Sequence, residues 1–101
     1  MNVELLREYC LGKLNVTESM PFGDDTLVFK VEGKIFMLMN LSGDLTINLK
    51  CDPEKAVLLR EQHPAVKPGY HMNKQHWNTV SINGSVSRHL LLQWIDHSYD
   101  L

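Results

Sequence analysis

Long hydrophobic runs, cysteine pairs and glycine-rich loops are all scarce in this sequence, and each shortage excludes a class of protein. No segment approaches the ~20 consecutive apolar residues that a membrane span needs. The two cysteines, Cys10 and Cys51, are too few for a disulfide scaffold and form no CxxC pair, so we expect both to be reduced packing residues. The glycines are scattered, and neither GxGxxG nor GxxxxGK(S/T), the motifs that cradle phosphate groups, occurs.

The remaining composition is that of an ordinary globular chain. Over 101 residues, 44% of the side chains are hydrophobic and 22% are charged, which is typical of one compact domain. We therefore predict a single domain over residues 1–101. The N-terminal segment MNVELLREYC lacks the basic start and continuous apolar core of a signal peptide. We accordingly expect a cytoplasmic protein without membrane association.

Acidic residues are absent from Gln62 to Ile95, although the whole chain has a formal net charge of -2. This window holds three residues that are lysine or arginine, and four of the five histidines also fall in it. Histidines that protonate raise its positive potential further. The net charge of the chain argues against a nucleic-acid-binding protein, but this one region is suited to meeting an anion.

Capping residues and apolar spacing predict two helices in the first two thirds of the chain. Apolar side chains recur at intervals of three and four from Val3 onward, and Gly12 is expected to end this helix, so we predict it over about 3–12. Asp52 is a good N-cap and Pro53 suits the first helical position. They predict a second helix over about 53–63.

Alternation of apolar and polar residues predicts strands over 26–31, 34–40 and 45–50, which tight turns join into an antiparallel meander. A further alternating run covers 77–82. Residues 13–25 show no period, and we predict a loop there that carries Met20 and Phe22 onto the core.

A last helix is predicted by apolar residues on one stripe, with Ser85 or Ser87 as its N-cap. The stripe consists of Val86, Leu90, Leu91, Trp94, Ile95 and Ser98. One or two strands are expected between the last two helices, with a turn at Pro68-Gly69. The predicted fold class is α+β, an antiparallel sheet with packed helices in the order α-β-β-β-α-β-β-α.

Metal binding and catalysis are poorly supported by the distribution of titratable residues. Zinc needs three or four converging ligands, but His71 and His76 have no cysteine or acidic residue between them. Tyr70 and Lys74, with these histidines, carry groups that general acid–base catalysis uses, yet no acidic residue of the window is available to orient an imidazole. We expect no metal, no cofactor and no catalytic activity.

Nucleic-acid contact fits the acid-free window better. Lys67 and Lys74 offer point charges to a phosphate backbone. Aromatic and imidazole rings, which stack on bases or donate to phosphates, follow closely in the sequence: Tyr70, His71, His76 and Trp77. For Trp77, which begins a predicted strand, packing in the core is the competing interpretation.

Three segments, PFGDDTLVFKVEGKIF, LKCDPEKAVLLREQHPAVKPGYHMNKQHWNTV and HSYDL, closely resemble the MmcQ/YjbR-like family of small bacterial proteins. The resemblance runs from about Tyr9 to Leu101. It implies an α+β fold with helices packed on an antiparallel sheet, described as a double-wing arrangement similar to DNA-binding folds. Members of the family are labelled DNA-binding proteins on the strength of that fold.

The resemblance implies DNA as the partner and a DNA-binding surface on this chain. Asp52, Pro53, Pro68 and Gly69 match the family's signature but already have roles in caps and turns. The candidates for the surface are Lys50, Arg60, Lys67, Tyr70, His71, Lys74, His76 and Trp77. Two other functions stay open: a protein–protein interaction module, and a small-molecule or catalytic pocket around Tyr70–His76.

Overall fold

The computed structural model describes residues 1–70 and 72–101. The helices in these residues are α1 (Val3–Leu11), α2 (Pro53–Gln62) and α3 (Arg88–Asp100). The strands are β1 (Val16–Ser19), β2 (Thr26–Val31), β3 (Lys34–Asn40), β4 (Thr46–Lys50), β5 (Val66–Pro68) and β6 (Trp77–Ser81). None of these helices combines the length and the apolar character that crossing a membrane requires.

The strands form one antiparallel sheet of six strands in the order β1-β2-β3-β4-β6-β5. The helices pack on one face of it: α1 lies against β1, α3 against β3 and β4, and α2 against β5 and β6. The predicted α+β class is therefore confirmed. The predicted meander of three strands is also present as β2, β3 and β4.

The hydrophobic core lies between the helices and the face of the sheet that they cover. Alternate strand residues point into it, because successive side chains of a strand project to opposite faces. The buried side chains of this layer include Leu27, Phe29, Met37, Met39, Ile47, Leu49, Val66 and Val80 from the strands, with Leu6, Cys10, Leu91, Trp94 and Ile95 from the helices.

The N-terminal strand corrects the prediction of a continuous loop over 13–25. Val16–Ser19 pairs with β2 in antiparallel register, from Val16 opposite Val31 to Ser19 opposite Val28. The run VTES shows no apolar alternation because β1 is an edge strand whose side chains are only partly covered. Main-chain pairing with β2 defines this strand, and it adds one strand to the predicted order.

The start of the last helix differs from the prediction at Val86. The helix begins at Arg88, and Ser87 is its N-cap, with the Leu90 N–H donating to Ser87 Oγ at 3.2 Å. Val86 precedes the cap, so it is not on the helical stripe. Val86 and Leu91 are both buried in the core cluster, and they occupy the positions of a hydrophobic staple, which sets the direction in which the chain enters a helix.

A bulge in β3 connects the sheet to α3. Phe29 pairs with Met37 and Lys30 with Ile35, so Phe36 is an extra residue in β3. The Ser98 hydroxyl of α3 donates to the Phe36 carbonyl at 2.5 Å and accepts from the Lys50 N–H at 2.9 Å. Its side chain is 1% exposed, so one hydroxyl satisfies two backbone groups in a buried position.

We expect Ser98→Ala to lower the free energy of unfolding by about 1–3 kcal/mol, because it leaves a buried N–H and a carbonyl without their partner. Urea denaturation followed by circular dichroism measures this loss. Ser42→Ala, in an exposed turn, is the control and should change stability by no more than about 0.5 kcal/mol. Equal effects of the two substitutions would contradict the bridging role of Ser98.

Candidate functional site

The face of the sheet turned away from the helices is uncovered over much of its area, and we call it the open face. Strand registers place small polar side chains in its middle. One row across four strands contains Thr26, Asn40, Thr46 and Ser81, and the next contains Val28, Leu38, Asn48, Thr79 and Lys67. These residues alternate with the core residues along the strands, so they lie on the face opposite the core. Val28 and Leu38 are nevertheless buried there, in a second cluster with Trp77.

A groove of about 750 Å³ crosses the open face. Its lining combines hydroxyl and amide groups with apolar side chains, one lysine and no carboxylate, and consists of Phe22, Thr26, Leu38, Asn40, Thr46, Asn48, Lys67, Pro68, Tyr70, Met72 and Thr79. This volume lies within the range of small-ligand sites in proteins, roughly 300–1,000 Å³. The groove extends across the sheet and away from His76, so it differs from a pocket confined to Tyr70–His76.

Gly69 starts the segment that forms one wall of the groove. Its N–H donates to the Trp77 carbonyl at 2.9 Å. A Cβ atom on Gly69 would lie 2.8 Å from Trp77 Cβ and 2.9 Å from the Trp77 carbonyl oxygen. The predicted turn at Pro68-Gly69 therefore requires glycine for a steric reason, the close approach of two backbone segments.

Hydrogen bonds attach the same segment to the floor of the groove. The Tyr70 N–H donates to Thr79 Oγ1 at 3.0 Å, and the Thr79 hydroxyl in turn donates to Asn48 Oδ1. Lys74 Nζ donates to the Gly69 carbonyl at 3.1 Å. These bonds place the 71% exposed Tyr70 ring at the rim of the groove.

Arg60 holds this wall from the helix side. Its Nε donates to Asn78 Oδ1 at 2.8 Å, and one terminal nitrogen donates to the Lys74 carbonyl at 2.6 Å. The Asn78 amide also donates to the Ala56 carbonyl of α2 at 3.3 Å. The guanidinium, which was predicted to contact phosphate, thus positions the loop that carries Lys74.

Trp77 and Lys50 are paired residues of β6 and β4, and both side chains lie at one end of the open face. The Trp77 ring is 8% exposed and packs with Val28 and Leu38, so it belongs to the packing rather than to a stacking surface. Lys50 Nζ lies 5.5 Å from the centre of the Trp77 ring, a cation–π contact. Trp77 therefore supports the face and helps to position the Lys50 charge.

The other predicted site residues are distributed around this groove. Lys67 and Tyr70 line it, whereas Lys74 and His76 are exposed in the loop beside it. The Cys51 N–H donates to the His76 carbonyl at 2.7 Å, which attaches this loop to the end of β4. His71 lies outside the residues that the structure describes.

Phe22 and the amides of the floor were missed by the sequence reasoning. Phe22 was predicted to enter the core, but its ring is 67% exposed at the groove. Met20 is also exposed rather than buried. The alternation in LTINLK already placed Thr46 and Asn48 on the polar side of β4, but alternation does not reveal whether a polar face is flat or concave.

Charge is segregated between the two faces of the sheet. The one carboxylate within the described strands, Glu18, lies on the helix side, where Arg7 Nε donates to it at 2.7 Å. Strand parity places Lys30, Lys50 and Lys67 on the open face. The acidic residues of the turns lie at both ends of the sheet, with Asp24, Asp25 and Asp44 at one end and Glu32 at the other.

The two thiols are poor nucleophiles at neutral pH. Burial raises the pKa of Cys10 to about 12, and burial also raises the pKa of Cys51. Both side chains are therefore protonated packing groups. Within residues 1–70 and 72–101, no three side chains of His, Cys, Asp or Glu are grouped closely enough to hold a metal ion.

The fold defines a class: small α+β proteins whose antiparallel sheet carries helices on one face. The chain belongs to the YjbR family, whose family model matches residues 11–101. The predicted family resemblance is thereby confirmed.

Relatives and solved structures agree with this assignment. The uncharacterized protein YjbR of Escherichia coli K12 is 35% identical over 98% of this chain and 85% of its own length. The uncharacterized protein YbdF of Escherichia coli O157:H7 is 49% identical over 80% of this chain and 67% of its own length.

Two crystal structures have the same fold. One is a Deinococcus radiodurans protein of the family-model domain DUF419, with a TM-score of 0.93 and 40% identity over 97% of this chain and 75% of its own. The other is a Pseudomonas syringae protein with a TM-score of 0.86 and 29% identity over 99% of this chain and 97% of its own.

We expect Gly69→Ala to destabilise the protein by about 1–3 kcal/mol, because the added methyl group meets backbone and Cβ atoms that cannot move independently. Thermal unfolding measures the loss. Gly12→Ala is the matched control, since Gly12 has a negative φ and its added Cβ would meet nothing closer than 3.4 Å. A Gly69→Ala protein as stable as the Gly12→Ala protein would contradict the steric requirement.

Proposed function

We propose that this protein is a binding module without catalytic activity that holds DNA against the open face of its sheet. The observation that carries the proposal is the segregation of charge across the sheet. Lysines from β2, β4 and β5 share the open face, whereas the strand carboxylate lies on the other side. An anionic polymer is attracted to one face of the molecule and not to the other.

Local charge, rather than the net charge of -2, governs such an interaction at short range. Exposed charges more than about 10 Å apart are largely screened at ordinary salt concentrations. The carboxylates of α1 and α2 therefore contribute little at the open face. Asp24, Asp25 and Asp44 lie in turns at one end, so we expect the DNA backbone to run nearer to Lys50, Lys67 and Lys74.

The proposal gives the predicted residues different roles. Lys50, Lys67 and Lys74 are the phosphate contacts in this proposal, and Lys30 on β2 joins them. Arg60 and Trp77 act indirectly in this proposal, since Arg60 positions the loop and Trp77 packs with Val28 and Leu38. Few phosphate contacts imply weak binding with a correspondingly shallow dependence on salt, since the slope scales with the number of contacts.

Fluorescence polarisation with labelled single-stranded and duplex oligonucleotides, measured over a salt series, tests the proposal. The logarithm of the binding constant should fall linearly with the logarithm of salt concentration, and removing one contacting lysine should reduce the slope by about 0.7 for a single strand or about 0.9 for a duplex. We expect this change for Lys67→Ala.

The matched control is Lys55→Ala, which removes the same charge from α2 on the helix side and should leave the slope unchanged. The absence of binding at low salt would end the proposal. Equal effects of Lys55→Ala and Lys67→Ala would show that the open face is not the binding surface.

A further inference from the structure

The groove on the open face has a chemical character that goes beyond attraction of phosphate. We infer that it is a subsite for one unpaired nucleobase with a carbonyl-rich edge, thymine or guanine, so that the nucleic acid bound is single-stranded. This inference rests on the proposed DNA-binding function and adds to it the form of the ligand. The inference is based on the hydrogen-bonding groups in the floor of the groove and on the exposed Phe22 ring at its rim.

The amides of the floor present donors to the groove. Asn40 Oδ1 accepts the Ser42 N–H at 3.3 Å, and Asn48 Oδ1 accepts the Thr79 hydroxyl. Their oxygens are therefore engaged, whereas no described residue accepts from either side-chain NH2 group. Lys67 at the edge of the groove is also a donor only. A ligand that satisfies these groups must offer acceptors.

Acceptors of this kind distinguish the bases. Guanine offers O6 and N7, and thymine offers O4, whereas cytosine has an amino donor at the corresponding position. On that edge, two asparagine amides and a lysine ammonium match thymine or guanine, whereas cytosine meets them there with its amino donor and offers acceptors only at O2 and N3. The Thr46 hydroxyl, which also lines the groove, can both donate and accept, so it does not discriminate between the bases.

The rim supplies an apolar surface for the face of a base. Phe22 is 67% exposed although it is a large aromatic residue, and it lines the groove together with Leu38 and Met72. A hydrophobic ring held in this position is suited to stacking, which single-stranded DNA permits because its bases are free to turn outward. In a duplex the bases are paired and stacked, and placing one face of a base against Phe22 would require flipping that base out.

Fluorescence polarisation at one low salt concentration, with oligo(dT), oligo(dC), an abasic oligonucleotide of the same length and a duplex, tests this inference. We expect oligo(dT) to bind roughly 5-fold or more tightly than oligo(dC), since one base position exchanges an acceptor for a donor. The abasic strand and the duplex should bind more weakly than oligo(dT). Asn40→Ala should reduce the preference for oligo(dT) over oligo(dC).

Phe22→Ala should weaken oligo(dT) binding roughly 5- to 100-fold, and Phe22→Trp should retain it, as expected for stacking. Leu14→Ala is the control for loss of an exposed apolar side chain, since Leu14 lies between α1 and β1 and outside the groove. In an NMR titration with oligo(dT), the side-chain NH2 signals of Asn40 and Asn48 should shift.

The outcomes separate the two proposals. If no oligonucleotide binds at low salt, DNA binding and the base subsite both fail. If the abasic strand or the duplex binds as tightly as oligo(dT), or if oligo(dT) and oligo(dC) bind equally, the base subsite is wrong while phosphate-directed DNA binding stands. Unchanged oligo(dT) affinity in Phe22→Ala would likewise overturn the subsite.

Discussion

Each strand of this sheet sends alternate side chains to opposite faces, and helices cover only one of them. The composition of both faces of the sheet depends on this constraint. The covered face must be apolar because the helices exclude water from it, and it contains the large buried residues from Leu27 to Val80. The open face carries threonine, asparagine and lysine side chains, together with a smaller buried cluster of Val28, Leu38 and Trp77. A core and an open face are therefore formed by alternate residues of the same strands.

The open face becomes a groove only because two loops rise beside it. One loop carries Phe22 and precedes β2. The other begins at Gly69 and is held by the contact of Gly69 with Trp77, by the Arg60 bonds and by the Tyr70 bond to Thr79. Gly69, Arg60, Tyr70 and Trp77, which belong to the family signature, thus hold this second loop in place beside the groove. These contacts fix the positions of Tyr70 and Lys74 beside the groove.

Prediction from the sequence succeeded where the signal was local. The cap formed by Asp52 before Pro53, the alternation of β2 to β4 and the glycine after α1 all depend on residues within a few positions of one another. It failed for β1, because an edge strand with one half-covered valine is defined by its partner. It also failed for Phe22, because nothing local indicates whether an aromatic residue in a loop turns toward the core or toward a groove.

The sequence by itself determined the α+β class, the three helices, the central strands, the acid-free window and the membership in the YjbR family, since each depends on spacing, capping or direct similarity. Only the tertiary structure decided that Arg60 donates to the loop carrying Lys74 and that Trp77 is buried. It also decided that Asn40, Asn48 and Thr79, from three different strands, line one groove together with Phe22. The reason is physical. Contacts between residues far apart in the chain are created by strand order and register, and neither is encoded in the neighbourhood of a single residue.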